Sequence, residues 1–393
     1  MKKLPIAVII IPTYNEADSI GKMIDHLFTV TFPIIKNWDC KVLVVDDTSP
    51  DGTYKVVQAK QKQFKNLFLS LSAKKTGIGG AYVRGFRYSM TELRADVVIE
   101  MDGDFQHPPR LVTKLLKAID DGYDYVIGSR KIKGGTNPKG WGFKRLFFSE
   151  IGGLVARMIM FFPTRKFFKI TDPTSGLRAS RVKGFVDTMD MDHLYSKSFG
   201  YKMEFLFQMI GLGARYTEIP LQFNVRNAGE SKIEPQTAKE IFKTVFLLRL
   251  NDPVTKKFIK FGTIGFCGFI INKIGLDVFA TILGRFIDSV GVRNTFANAM
   301  AAELSIINNF TLNNRWTFKK ERLPWGKKLI RKFTQFNLSS VFSGIIMPSL
   351  VIGAGTHFFG DDYRTFFLIG AVIFITVPLN WFIYNVFIWK KIQ

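Results

Sequence analysis

The chain has 393 residues, 47% of them apolar and 22% charged, with a formal net charge of +23. That length holds a full catalytic domain and something more, and the basic excess fits either nucleic acid or an anionic membrane surface. The Lys/Arg blocks flank apolar segments and no common nucleic-acid motif is present, so the membrane is expected and nucleic acid is excluded as a partner.

Residues 6–11 are a continuous apolar run, β-branched except for Ala7, that stops at Pro12, as a central parallel strand would. Further strands are predicted at 41–45, 66–71, 96–101 and 124–128. Helices are predicted between them at 19–28, 53–63, 80–92 and 109–120. Strand and helix in alternation predict a parallel α/β sheet, whose ligands bind beyond the carboxyl ends of the strands. The polar clusters at 12–16, 46–51 and 102–106 fall at those ends. The N-terminus, Met-Lys-Lys-Leu-Pro, leads straight into a strand, so no signal peptide is expected and the catalytic part is expected to stay in the cytoplasm. Cys40 and Cys267 lie far apart, with no neighbour at metal-ligand spacing, and are read as small buried apolar residues.

Residues 143–162 and 238–250 are predicted to be amphipathic helices in the headgroup plane, the second with Ile241, Val245 and Leu248 on one face. Four apolar segments follow, at about 257–283, 295–312, 332–355 and 364–389, each near the roughly 17–25 residues a span requires. The second is the weakest, with Glu303 and Asn308-Asn309 inside it as interhelical polar contacts. The loop at 313–332 carries eight Lys and Arg residues, which places it and both chain ends in the cytoplasm.

The strongest chemical signal is Asp102-Gly-Asp104-Phe-Gln106-His107-Pro-Pro at a strand end. Two carboxylates at i and i+2 can enter one cleft, where hard oxygen ligands suit Mg²⁺ or Mn²⁺ and substrate phosphates complete the shell. Asp46-Asp47-Thr-Ser-Pro-Asp51 and Pro12-Thr-Tyr14-Asn-Glu16 are turns taken singly, and at neighbouring strand ends they favour a nucleotide pocket. Gly77-Ile-Gly79-Gly80 opens a helix without the dinucleotide spacing and reads as close backbone packing near the donor. Arg130, ending the fifth strand, and Arg145, starting the first amphipathic helix, are candidates for bidentate phosphate recognition. Asp172-Pro-Thr-Ser175-Gly176 is a turn-rich loop with a carboxylate of its own.

These motifs, with Gly128-Ser-Arg and Arg226-Asn-Ala-Gly-Glu-Ser-Lys232, resemble the polyprenyl-phosphate mannose synthases, inverting family-2 glycosyltransferases of GT-A fold. The C-terminal part resembles the GtrA-like membrane domain, to which Asn308-Asn309-Phe and Asn314-Arg-Trp-Thr-Phe318 correspond. The resemblance implies an α/β, Rossmann-like GT-A catalytic domain over 1–235, an interfacial helix and linker over 236–256, and four transmembrane helices over 257–393. It implies a GDP-mannose donor, a dolichyl phosphate acceptor and Mg²⁺ or Mn²⁺. Asp102, Asp104 and Gln106 are then expected around the metal, and Pro12, Tyr14, Glu16, Asp47, Asp102, Asp104 and Lys232 on the donor. Arg130, Arg145, Ser149, Arg226 and Lys232 are expected at the acceptor phosphate, with Asp104 and Arg130 most directly involved in catalysis. Alternatives are a UDP-glucose donor, or a lipid-linked-sugar transporter with an inactive catalytic domain.

Overall fold

The structure, a computed structural model, describes residues 3–138, 141–224 and 235–389. The chain divides into two compact units, residues 1–250 and 251–393.

The first unit is built on seven strands: β1 (Ile6–Thr13), β2 (Asp39–Asp46), β3 (Leu67–Leu71), β4 (Val97–Glu100), β5 (Tyr125–Ser129), β6 (Arg178–Arg181) and β7 (Tyr216–Pro220). They lie in the order β3-β2-β1-β4-β6-β5-β7. The sheet is mixed rather than parallel, because β6 runs antiparallel to both β4 and β5. Sequence patterning misses β6 for a physical reason: it has four residues, three of them polar, and Arg178 and Ser180 are buried all the same.

Among the described residues eight α-helices accompany the sheet: α1 (Ala17–His26), α2 (Thr53–Gln61), α3 (Gly77–Thr91), α4 (Leu111–Asp120), α5 (Phe143–Phe161), α6 (Lys166–Lys169), α7 (Tyr201–Gly211) and α8 (Pro235–Asn251). Side chains alternate across a strand. Ala7, Ile9 and Ile11 therefore pack under α1, α2 and α4, while Val8 and Ile10 pack under α3 and α7. Both faces are covered, which is why β1 and β2 read as unbroken apolar runs.

The two expected interfacial helices separate. On α8 the row Ile241, Val245 and Leu248 packs into the protein core, so that face is not available to lipid. On α5 Ala156, Met160 and Phe161 are buried, while Phe143, Phe147, Ile151, Leu154 and Met158 form an exposed row at helical spacing.

In the second unit the helices are α9 (Pro253–Leu283), α10 (Val290–Leu312), α11 (Lys327–Val341), α12 (Met347–Phe359), α13 (Arg364–Ala371) and α14 (Val377–Ile383). Asp252 caps α9 by accepting from the Thr255 N–H at 3.0 Å, with Pro253 at the first helical position. Among the described residues three stretches are long and apolar enough to cross a membrane: Pro253–Leu283, Lys327–Phe359 and Phe366–Ile388. Helix α10 has 23 residues and is not among them. Its polar groups do bridge helices: Asn337 donates to Glu303 at 2.8 and 2.9 Å, and Ser305 to the Gly268 carbonyl at 2.8 Å.

Candidate active site

Backbone strain marks the working edge of the sheet. Asn15, Thr48 and Phe105 adopt positive φ (56°, 51° and 65°) just beyond β1, β2 and β4. Such conformations cost energy and persist only where the surroundings fix them. Here the fixing groups are visible. The Asn15 N–H donates to Ser49 Oγ, the Glu16 N–H to Thr53 Oγ1 and the Ala17 N–H to Asp51 Oδ2, all at 2.9–3.0 Å. Asp46, fully buried, accepts from Thr13 Oγ1 and from the Ser49 hydroxyl and N–H. The end of β1, with Pro12, and the loops after β1 and β2, which carry Tyr14, Glu16 and Asp47, are thus stitched into one wall.

Asp47 is held inside that wall. Its carboxylate accepts from Arg84 Nη2 at 2.5 Å and from the Thr76 N–H at 2.9 Å. Arg84 also donates to Thr76 Oγ1. Asp47 therefore anchors the start of α3, and Arg84, 37 residues away, gave no local signal in the sequence. Lys75 lies over the Tyr14 ring at 4.0 Å. Gly77 has φ +76°, and a Cβ there would come 2.7 Å from the Lys197 carbonyl. The glycine-rich turn is thus packed against the segment leading into α7.

The metal-loop candidates follow β4. Asp104 is almost fully buried, and its Oδ1 accepts the Gln106 N–H at 3.0 Å, a tight Asx turn. The Asp102 N–H donates to His107 Nδ1 at 3.0 Å, which assigns the proton of a neutral imidazole to Nε2. Burial lowers the His107 pKa, outweighing the upward pull of Asp102. His107 is thereby a brace for the loop. Asn224 closes the turn from outside, donating to the carbonyls of Gln106 and Phe105. Among the described residues no group of three or more His, Cys, Asp or Glu could cage a metal unaided. Two carboxylates and an amide oxygen nevertheless suit Mg²⁺ or Mn²⁺ completed by phosphate oxygens and water.

Arg130 stands at the end of β5, in the same sheet and the same direction as β4. The ring of Phe223 lies 5.4 Å from that of His107 and 5.6 Å from the Arg130 guanidinium, so both border one aromatic side chain. Asp172 holds Arg130 through Nε and Nη2, each at 2.7 Å. Burial alone would raise the Asp172 pKa, but the charge and hydrogen bonds of Arg130 outweigh it and bring the carboxyl down to about 2. Arg145 and Ser149 are one turn apart on α5, and Arg145 stacks on Trp141 at 4.3 Å. Arg226 and Lys232 lie outside the described residues.

Sequence reasoning also missed Lys202, at the start of α7. It is buried, and a Cβ on Gly176 would come 2.6 Å from its Nζ and 3.0 Å from the His107 ring. Burial lowers its pKa, and Asp102 is the strongest charge acting against that shift. Nothing in a Gly-Tyr-Lys-Met helix start distinguishes this lysine from a solvated one.

With this geometry in place, comparison with known proteins is informative. Residues 8–193 match Glycosyl transferase family 2, and residues 260–389 match the GtrA/DPMS transmembrane domain. A dolichol-phosphate mannosyltransferase of Pyrococcus furiosus is 31% identical over 350 residues, covering 89% of this chain and 92% of that protein. An undecaprenyl-phosphate mannosyltransferase of Micrococcus luteus is 36% identical over 224 residues, 57% of this chain and 86% of that one. A polyprenol monophosphomannose synthase of Mycolicibacterium smegmatis is 30% identical over 234 residues, 59% and 83% respectively.

Proposed function

We propose, for a chain that belongs to the polyprenyl-phosphate mannosyltransferases of glycosyl transferase family 2, that it moves mannose from GDP-mannose to dolichyl or another polyprenyl phosphate with inversion. The single observation that carries the reading is that the Asp102–His107 loop beyond β4 and Arg130 beyond β5 meet at one side chain, the ring of Phe223, which borders His107 and the Arg130 guanidinium. An acidic loop for a metal-bound diphosphate and a fixed cation for a second phosphate are what such a transfer requires.

A bound Mg²⁺ or Mn²⁺, held by Asp102, Asp104 and Gln106, would neutralise charge developing on the departing diphosphate. Pro12, Tyr14, Glu16 and Asp47 line the nucleotide side, with Asp47 acting by fixing Thr76 and Arg84. The acceptor phosphate, with a second pKa of about 6, is already anionic near neutrality and attacks the anomeric carbon without a strong protein base. Arg130, Arg145 and Ser149, with Arg226 and Lys232, orient it for one in-line displacement, which inverts the centre. Asp104 serves as a ligand and turn former and not as a base. Lys232 is also placed on the donor side.

The helical unit anchors the enzyme in the membrane, with α10 as a fourth span beside the three apolar stretches and the basic loop at 313–332 on the cytoplasmic side. The exposed row of α5 rests at headgroup depth, where the lipid phosphate arrives.

The test is transfer of radiolabel from GDP-mannose, and in parallel UDP-glucose, to dolichyl phosphate in detergent, with Mn²⁺ or with EDTA. Metal-dependent label in the lipid phase from GDP-mannose alone supports the reading. Transfer only from UDP-glucose would replace the donor, and transfer undiminished by EDTA would remove the metal.

A further inference from the structure

The Asp172-Pro-Thr174 segment takes no part in the reaction as described so far, yet it is bonded repeatedly to the residue that ends β5 beside the site. Asp172 Oδ2 accepts from both the N–H and Nε of Arg130, at 3.0 and 2.7 Å, and Oδ1 accepts from Nη2 at 2.7 Å. Thr174 Oγ1 accepts from the same Nη2 at 2.8 Å and donates to Asp172 Oδ1 at 3.0 Å. These bonds engage the Nε/Nη2 side of the guanidinium, and Nη1 has no partner among the described residues.

The loop is itself held from behind. Glu218, on β7, accepts the N–H groups of Thr171 and Asp172 at 2.7 and 3.1 Å and the Thr171 hydroxyl at 2.5 Å. That hydroxyl also meets Ser129 Oγ at 2.8 Å, one residue before Arg130. In strand register Glu218 lies opposite Ile127 of β5. A carboxylate on one strand therefore sets a loop, and the loop sets an arginine at the end of the neighbouring strand.

We propose that Asp172, braced by Glu218, is a positioning residue that fixes the Arg130 guanidinium with its Nη1 edge presented to the acceptor phosphate. The inference rests on the reading of Arg130 as a contact of that phosphate. An arginine side chain loses considerable rotamer freedom when it is ordered, and a prepaid ion pair removes that cost from the binding step. The pairing persists at working pH, since the Asp172 carboxyl stays ionised down to about pH 2. The Arg130 side chain is only 8% exposed, so it is set in the protein before substrate arrives.

The test is steady-state transfer by the full-length protein in detergent, varying a short-chain polyprenyl phosphate and GDP-mannose separately. Arg130→Lys and Asp172→Asn should each raise the acceptor KM roughly tenfold and leave the GDP-mannose KM within about twofold. The double variant should be no worse than either single one, because the two residues act as a unit. Glu218→Gln should move the acceptor KM the same way by a smaller factor, and it decides the matter if Asp172→Asn does not fold. If Arg130→Lys raises the acceptor KM while Glu218→Gln and a folded Asp172→Asn leave it unchanged, the positioning role is wrong and the reading of Arg130 stands. If Arg130→Lys itself leaves it unchanged, that reading fails and the inference goes with it.

Discussion

In the α/β unit the large apolar side chains, Ile9, Ile10, Ile11, Tyr82 and Phe86 among them, are enclosed between sheet and helices. In the helical unit Phe266, Phe269 and Phe374 stand outward at 64–78% exposure. What is buried there is a cluster of rings: Phe318 stacks on Trp389 at 4.3 Å and Phe336 on Tyr384 at 4.4 Å. Polar groups differ in the same way. In the first unit they gather at the carboxyl ends of strands, bonded to one another. In the second they are single pins, such as Asn314, which bonds both backbone groups of Leu323 and accepts from the Trp389 indole. The difference teaches that the first unit is held by removing apolar surface from water. A unit surrounded by lipid gains nothing that way and relies on packing and hydrogen bonds.

Four changes would sharpen or break this contrast. The largest concerns the strand ends. Asp104→Ala should lower transfer by roughly 10³-fold or more, since it removes the acceptor for the Gln106 N–H and, on the proposed reading, a metal ligand. The thermal transition of the helical unit should stay in place, and a shift there would mean the two units are not energetically separate. Next is the pin. Asn314→Leu should cost the helical unit about 2–3 kcal/mol, because the buried N–H and C=O of Leu323 lose their partner. Thermal melting in detergent measures that loss, and an unaltered melt would show the rings suffice alone. The KM for GDP-mannose should not change.

A smaller effect is expected from Glu204, which accepts the Tyr195 N–H at 2.8 Å on α7. Burial raises its pKa from 4.5 to about 7. Because the folded protein holds this proton longer than the unfolded chain, the stability this one group contributes is full below pH 4.5 and is lost as pH rises through 7. Glu204→Gln should therefore stabilise the first unit by about 1–2 kcal/mol at pH 8 and do little at pH 4. Denaturant midpoints at the two pH values check this, and equal gains at both would rule out ionisation as the cause. The smallest effect belongs to α5, where the first unit exposes a row of large apolar side chains as the second does. Phe147→Ser with Ile151→Ser should raise the acceptor KM by about threefold without altering stability in solution. A clear gain or loss of stability would show that the row packs against protein.

Much of this architecture was legible beforehand. Strands β1–β5 and helices α1–α4 announce themselves through periodicities of two and 3.6, which need no partner to be read. The Asp102–Gln106 turn was legible because a DxD beyond a buried strand is local too. Strand β6 was not, since its polar residues are buried only by what surrounds them, and neither was the inward face of α8.

The sequence by itself determined the alternation of β1–β5 with α1–α4, the apolar runs fit to span a membrane and the acidic loop at the sheet's working edge. Each of these depends on residues within a few positions of one another. Only the tertiary structure decided that Asp47 is spent on Arg84, that Arg130 is held by Asp172 and Glu218, and that Lys202 lies beside His107. These pairs join residues far apart in the chain, and a charge buried in a protein takes its meaning from the partner that folding brings to it.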